Sequence, residues 1–272
     1  ALKNQPQPTV LTAADTLVLT SGDDNTLIQT TGSAYSQGAS YNLYAGRVGT
    51  NGEGTLRRGA IKFSLTAIPS GSTIQSVTLE LYCSNAGSST SFPIVLKRMT
   101  ASWGEGSSFA FGGGGAPAES GDATWTHRFY PNVFWTTPGG DFVATVSATK
   151  NVTTAGWYTW ASTSQLVADV QGWVNAPASN FGWLVQGNET TLKSVKRFDT
   201  HEAQPATQPK LTITYTPPAP VLGDLTNDMK VNGADLAVLL GAWGAAGPAD
   251  LNGSGLVDGA DLGILLGAWT GP

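Results

Sequence analysis

The chain has 272 residues, 34 of them Gly and 15 Pro, with only 12% charged, a composition that favours short strands and many turns and leaves room for one large domain or two unequal ones. It carries no basic stripe and no run of 18 apolar residues, which argues against a nucleic-acid partner and against a membrane-spanning helix. The net charge of −5 is unevenly placed: beyond the Pro-rich TPPAP (216–220), Lys230 stands against six Asp, so the body is neutral and the tail holds the whole excess.

The opening ALKNQPQPTV lacks a charged start followed by an apolar stretch, so a secretory leader has been removed or was never there. The extended LKNQPQPTVLTA reads either as the first strand of its own sheet or as a segment that pairs with a neighbour's sheet edge. Four stretches then alternate apolar and polar residues and predict half-buried strands: IKFSL (Ile61, Phe63, Leu65), VTLELYC (Val77, Leu79, Leu81, Cys83), FGWLV (Phe181, Trp183, Val185) and LTITY (Leu211, Ile213, Tyr215). Cys83 is the single cysteine, which excludes an internal disulfide and a cysteine-rich zinc site and places it in the core. In STSQLVADVQGWVNAP the period changes. Leu166, Val167, Val170, Trp173 and Val174 follow a helical spacing, with Ser or Thr as N-cap and Pro177 beyond. Mostly β with one short helix predicts a β-sandwich or jelly roll over residues 1–216, a linker at 217–222 and a small α-helical domain at 223–272.

The body offers no catalytic signature. His127 and His201 lie in no nucleophile motif, and no GxSxG, phosphate loop or zinc signature appears. Two carboxylates would suffice for glycoside hydrolysis, but the sequence singles out no pair. Trp103, Trp125, Trp135 and Trp160 offer flat faces for sugar rings, and Arg57, Arg58, Arg128 and Arg197 offer forks for carboxylates; equally, the tryptophans fill a core and the KRFDTHE residues (196–202) lock strands together. Glu105, Asp122, Asp141, Asp199 and Glu202 sit beside glycines and aromatics, where a structural calcium or ordinary Arg pairing would hold them.

The order of RRGAIKFSLTAIPSGSTIQSVTLELY (57–82), SWGEG (102–106), SGDATWTHR (120–128), PGGDF (138–142), NFGWLVQGNE (180–189) and KRFDTHE resembles the DNRLRE domain family, over residues 12–216. The resemblance implies a secreted, generally non-catalytic β-sandwich module, in some members a carbohydrate-binding module for acidic polysaccharides such as alginate.

The tail repeats itself with a period of 26 residues: Asp224, Asp235 and Trp243 recur as Asp250, Asp261 and Trp269. Against the 12-residue calcium-loop pattern, positions 1, 3, 5, 9 and 12 are Asp224, Thr226, Asp228, Asn232 and Asp235, with the Lys230 carbonyl at position 7. The second loop supplies Asp250, Asn252, Ser254, Asp258 and Asp261, with the Leu256 carbonyl. Oxygen donors this closely spaced suit Ca2+, so two calcium sites are expected here, and one more in the body if the acids above converge. Met229 holds position 6, where the turn favours Gly. Val231 and Val257 at position 8 are expected to pair between facing loops, and Leu236, Leu239, Leu240 and Trp243, with Leu262, Leu265, Leu266 and Trp269, mark one apolar face on each following helix.

Residues 223–270 thus resemble a type I dockerin, which implies a cohesin partner. The positions that read that partner in the family are here Gly233, Ala234, Gly259 and Ala260, small and identical in both halves. A self-docking tail is the related expectation. Two further readings stand behind a secreted polysaccharide-binding protein: a structural subunit forming a homo-oligomer, filament or coat through the N-terminal segment or the tail, and a polysaccharide hydrolase or lyase. Calcium loops and low charge favour an extracellular or cell-surface setting, and Asn151, Asn188 and Asn252 sit in glycosylation triplets.

Overall fold

The computed structural model describes residues 13–20 and 22–271, which divide into two compact units, Ala14–Pro217 and the residues from Pro218 onward. Residues 1–12, which carry most of the proposed pairing segment, lie outside the described residues.

The first unit is mostly β. In chain order its strands are β1 (Asp15–Thr20), β2 (Asp23–Ile28), β3 (Tyr35–Ser36), β4 (Asn42–Arg47), β5 (Leu56–Lys62), β6 (Thr73–Asn85), β7 (Phe92–Arg98), β8 (Ala116–Pro117), β9 (His127–Phe129), β10 (Val133–Phe134), β11 (Ala148–Val152), β12 (Gly156–Trp160), β13 (Trp183–Gln186), β14 (Lys196–Asp199) and β15 (Lys210–Thr216), with helix α1 (Ser164–Asn175) between β12 and β13. Among the described residues eleven of these strands form one large, curled antiparallel sheet in the order β1-β15-β6-β14-β4-β5-β13-β7-β11, with β12 along the other edge of β6 and β2 on β5. The sandwich expected from the sequence takes the coarser form of this one curled sheet, and β4 is its turning point because it pairs with β14 on one side and β5 on the other.

The concave side encloses the main core, in which Leu43, Ile61, Leu79, Leu81, Cys83, Ile94, Leu96, Trp160, Trp183, Phe198 and Leu211 pack with the apolar stripe of α1. Thr163 caps α1 by accepting from the Leu166 N–H. Within the helix, buried Asp169 accepts from Trp183 Nε1 at 2.9 Å and Gln165 Nε2 at 3.0 Å and from the Ser147 hydroxyl, with Arg98 Nε 3.5 Å away.

Two of the predicted strands are shifted. β5 ends at Lys62, so Phe63 and Leu65 are buried beyond its end, and β13 begins only at Trp183. Simple alternation also fails on β13, where Trp183, Leu184 and Val185 are all buried. The outer face of β2, β5 and β13 is covered by chain from the largely irregular stretch 99–147, building a second core of Leu27, Ala60, Met99, Trp103, Ala123, Trp135 and Leu184. A strand covered on both faces loses its period of two.

Lys196 on β14 is fully buried, and its ammonium donates to the carbonyls of Ala86 (2.8 Å), Ser88 (3.1 Å) and Thr90 (3.1 Å) with Phe92 alongside. Three donors meet three acceptors, and burial lowers the amine's pKa without leaving an N–H unpaired. Lys196→Met would strand the carbonyls of the 86–90 turn and is expected to cost roughly 2–4 kcal/mol, read from the midpoint of urea denaturation of the full chain.

Candidate functional site

Two of the body's motifs, SWGEG and KRFDTHE, meet at the start of β2. SWGEG is shaped by close backbone approach: a Cβ at Gly104 would stand 1.9 Å from the Gly121 carbonyl oxygen, and one at Gly106, whose φ is +80°, 1.6 Å from Asp122 Oδ1. Fully buried Asn25 holds the same turn, its amide donating to the Glu105 carbonyl at 2.7 Å and the Ala123 carbonyl at 3.2 Å.

Glu105 is thereby aimed at the start of β2, where its Oε1 accepts from the Asp24 N–H at 2.8 Å. Asp24 is fully buried; its Oδ2 accepts from the His201 main-chain N–H at 3.1 Å and lies 3.0 Å from His201 Nδ1. Glu105 Oε1 is 3.5 Å from the same nitrogen, while His201 Nε2 faces Glu202 Oε1 at 3.3 Å. Burial raises the pKa of Asp24 and of Glu202, and that of Glu105 to about 7; the hydrogen-bonded Asp24 carboxylate raises His201 to about 9.

Of the five acids expected around a body calcium, only Glu105 and Glu202 meet. Asp122 accepts from the Ser107 and Glu119 N–H groups and the Ser108 hydroxyl, Asp141 from the Thr136 and Thr137 N–H groups, and Asp199 from the Asn42 amide. These three terminate turns and strands instead. Asp24, which completes the cluster, carries no sequence signal beyond two neighbouring acids at the start of a strand.

The proposed sugar platform also changes. Trp103, Trp135 and Trp160 are each 5% exposed or less and donate their indole N–H to the Phe181, Thr124 and Ile94 carbonyls, so they are core residues and present no face. Trp125 is half-buried under Arg58, which is itself locked in a two-point pair with Glu189 at 2.6 and 3.0 Å. Buried Arg57 donates to the Gly113 and Leu56 carbonyls and the Thr55 hydroxyl, so neither arginine is free for a ligand. Arg128 and Arg197 are partly exposed, bonded to Ser102 and Ser84 respectively, with further guanidinium N–H groups beyond those bonds. His127 is held by Thr124 and Thr126 beside Phe134 and is structural. Sequence reasoning missed an aromatic trio at the surface, Tyr41, Phe109 and Phe111, 50%, 39% and 83% exposed and joined edge to face at 5.4 and 4.9 Å. No periodicity marks it, because two of its members lie in a Gly-rich loop.

The second unit holds the duplicated loops, each leading into a nine-residue helix, α2 (Gly233–Gly241) and α3 (Gly259–Gly267). Asn232 and Asp235, then Asp258 and Asp261, form capping boxes. Asp235 is fully buried and takes the N–H groups of Leu225, Thr226 and Asn232 and the Thr226 hydroxyl; Asp261 takes those of Leu251, Asn252 and Asp258. Burial opposes ionisation of Asp235, but these donors outweigh it, and the Asp258 N–H leads at Asp261; both carboxyls stay below their ordinary range.

Asp224 accepts from the Asp228 and Met229 N–H groups, and Asp250 from those of Ser254 and Gly255. Asp228 accepts from the Lys230 N–H, Asn252 from Ser254, and the Leu256 carbonyl from the Ser254 hydroxyl. Carboxylate oxygens of Asp224, Asp228 and Asp235 lie within 4.8 Å of one another, a fit for a hard cation. The second loop has Ser254 where the first has Asp228, and its third acid, Asp258, serves as a helix cap.

Val231 and Val257 are buried, but they do not pair with each other. Val231 exchanges hydrogen bonds with Thr270 just past α3, and Val257 with Gly244 and Ala245 just past α2. The predicted helix faces are only partly covered: Leu239 and Leu265 are buried, whereas Leu240, Trp243, Leu266 and Trp269 are 51%, 50%, 52% and 39% exposed. The buried stripe runs from Asp235 to Leu239 and from Asp261 to Leu265, so sealing each loop carboxylate under its helix turns Leu240 and Leu266 outward, while α2 and α3 end at Gly241 and Gly267, short of the expected Trp243 and Trp269. Gly233, Ala234, Gly259 and Ala260 are exposed at the helix starts.

No protein-family model matches the chain, and no curated protein matches it. The DNRLRE and dockerin resemblances therefore rest on the quoted motifs.

Met229 occupies the left-handed region at φ +71°, where the second repeat has Gly255 at φ +104°. Met229→Gly is expected to stabilise the first loop by about 1 kcal/mol, seen as slower amide exchange in α2 with α3 unchanged.

Proposed function

We propose that this is a secreted, non-catalytic protein whose β unit binds polysaccharide and whose tail attaches it to a scaffold or cell surface in a calcium-dependent way. The observation that carries the recognition half is the Tyr41–Phe109–Phe111 trio, three rings packed edge to face on one another and left partly or largely exposed at one place. Sugar rings present axial C–H groups that pack on such faces. Arg128 and Arg197 are the partly exposed cations that suit an acidic sugar, since Arg57 and Arg58 are committed within the fold.

The tail supports the attachment half. Asp224, Asp228 and Asp235, with Thr226, Asn232 and the Lys230 carbonyl, would hold one Ca2+; Asp250, Asn252, Ser254, Asp258, Asp261 and the Leu256 carbonyl would hold a second. Ion binding would fix the loops at the helix starts and so set the spacing of the exposed Leu240, Trp243, Leu266 and Trp269, an apolar, pseudo-symmetric surface suited to a cohesin-like partner or to a second copy of the tail.

The full chain is expected to be retarded by an acidic polysaccharide in affinity electrophoresis, and Tyr41→Ala and Phe111→Ala each to weaken that retention about tenfold without altering the melting temperature. Wild-type mobility unchanged by every acidic and neutral polysaccharide would end the recognition half. Release from native surface material by a chelator, with polysaccharide retention intact, is the expected signature of the attachment half; retention of both after chelation would remove it.

A further inference from the structure

The Asp24, Glu105, His201 and Glu202 cluster asks for a positive charge that the surrounding protein does not fully supply. Asp24 has no solvent exposure, and although its Oδ2 is bonded to His201, its Oδ1 is buried with no hydrogen-bond partner. Glu202 Oε2 is a second buried acceptor without a partner. A buried carboxylate oxygen without a partner has lost its water and gained nothing in return, so two of them on the carboxylates either side of one imidazole are unusual for a purely structural arrangement.

The ring divides its two nitrogens in the manner of a metal ligand. Nδ1 points at the Asp24 and Glu105 oxygens, and one ligand atom from each of these three residues lies within 4.8 Å of the other two. Nε2 points the opposite way, at Glu202, which is the partner that fixes tautomer and orientation when an imidazole binds a metal. The His201 side chain is 29% exposed and those of Glu105 and Glu202 24% and 22%, which leaves a route in from solvent. An imidazole nitrogen with two carboxylates is a poor set for calcium, which takes oxygens, and a good one for a borderline first-row ion.

We infer that Asp24, Glu105 and His201 bind one divalent transition-metal ion of the Zn2+ class, with Glu202 orienting the His201 ring. The ion fastens β2, the SWGEG turn and the chain following β14 into one unit. It is distinct in chemistry from the oxygen-only loops of the tail, and it holds whether or not the body binds a glycan.

The test is calorimetric titration of the chelator-stripped full chain with Zn2+ in saturating Ca2+, which keeps the tail loops occupied by the harder ion. One equivalent of Zn2+ is expected, abolished in Asp24→Asn and in His201→Gln and weakened about 10-fold to 100-fold in Glu202→Gln. His201 is partly exposed, so His201→Gln remains informative if Asp24→Asn fails to fold, and Co2+ added to the wild-type chain should give ligand-field absorption that His201→Gln lacks. Failure of the wild-type chain to take up stoichiometric Zn2+, equal uptake by His201→Gln, or displacement of the ion by Ca2+ would each overturn the assignment.

Discussion

The body of this protein is governed by one constraint: a curled sheet whose β2, β5 and β13 are apolar on the outside as well as the inside must be covered by chain that is mostly not itself regular structure. Irregular backbone brought over a core loses its water, and each buried N–H and C=O then needs a partner. Those partners come from other main chain, as where Gly104 and Ala123, Asp122 and Tyr130, and Trp135 and Thr126 bond, and from side chains. Asn25 satisfies the Glu105 and Ala123 carbonyls, the indoles of Trp103 and Trp135 satisfy Phe181 and Thr124, and Asp122 gathers two N–H groups and a hydroxyl. The tryptophans therefore act twice, filling the second core and bonding the chain that encloses it.

That constraint also explains where the candidate metal centre lies. The covering segment starts where β7 ends and must cross the start of β2, and the tight approach at Gly104 and Gly106 is what brings Glu105 to Asp24. His201 and Glu202 arrive from the other side, at the end of β14, a strand anchored by Lys196 and packed by Phe198. The site is a by-product of closing the second core, placed where three separate stretches of chain end together.

Much of the architecture was legible in the sequence because it rests on periodicity. The 26-residue repeat, the α1 stripe from Leu166 to Val174 and the strand of VTLELYC are local patterns, and local patterns survive folding. What could not be read depends on pairs far apart in the chain. Asp24 and His201 are 177 residues apart, and Trp103 and its carbonyl partner 78, so no spacing rule could link them. The tail helices show the opposite failure. The i, i+3, i+4, i+7 pattern of Leu236, Leu239, Leu240 and Trp243 is present, but in a nine-residue helix the buried loop carboxylate decides which way the stripe faces, and half the pattern is left outside.

The two acidic regions differ in one respect that accounts for their different chemistry. Asp235 is as buried as Asp24, yet both its oxygens meet backbone N–H groups, so its charge is dispersed over fixed dipoles and its pKa falls. Asp24 has the His201 main-chain N–H and ring Nδ1 on one oxygen and no hydrogen-bond partner on the other, so burial outweighs its donors and its pKa rises. A carboxylate already stabilised by amides can present its remaining lone pairs to a hard, weakly held cation that comes and goes with the surroundings. One left short of donors gains far more from a cation than it loses in hydration, and the imidazole beside it selects a softer ion held more tightly. The number of main-chain N–H groups each aspartate has been given separates the two acidic regions: three on Asp235 and one on Asp24.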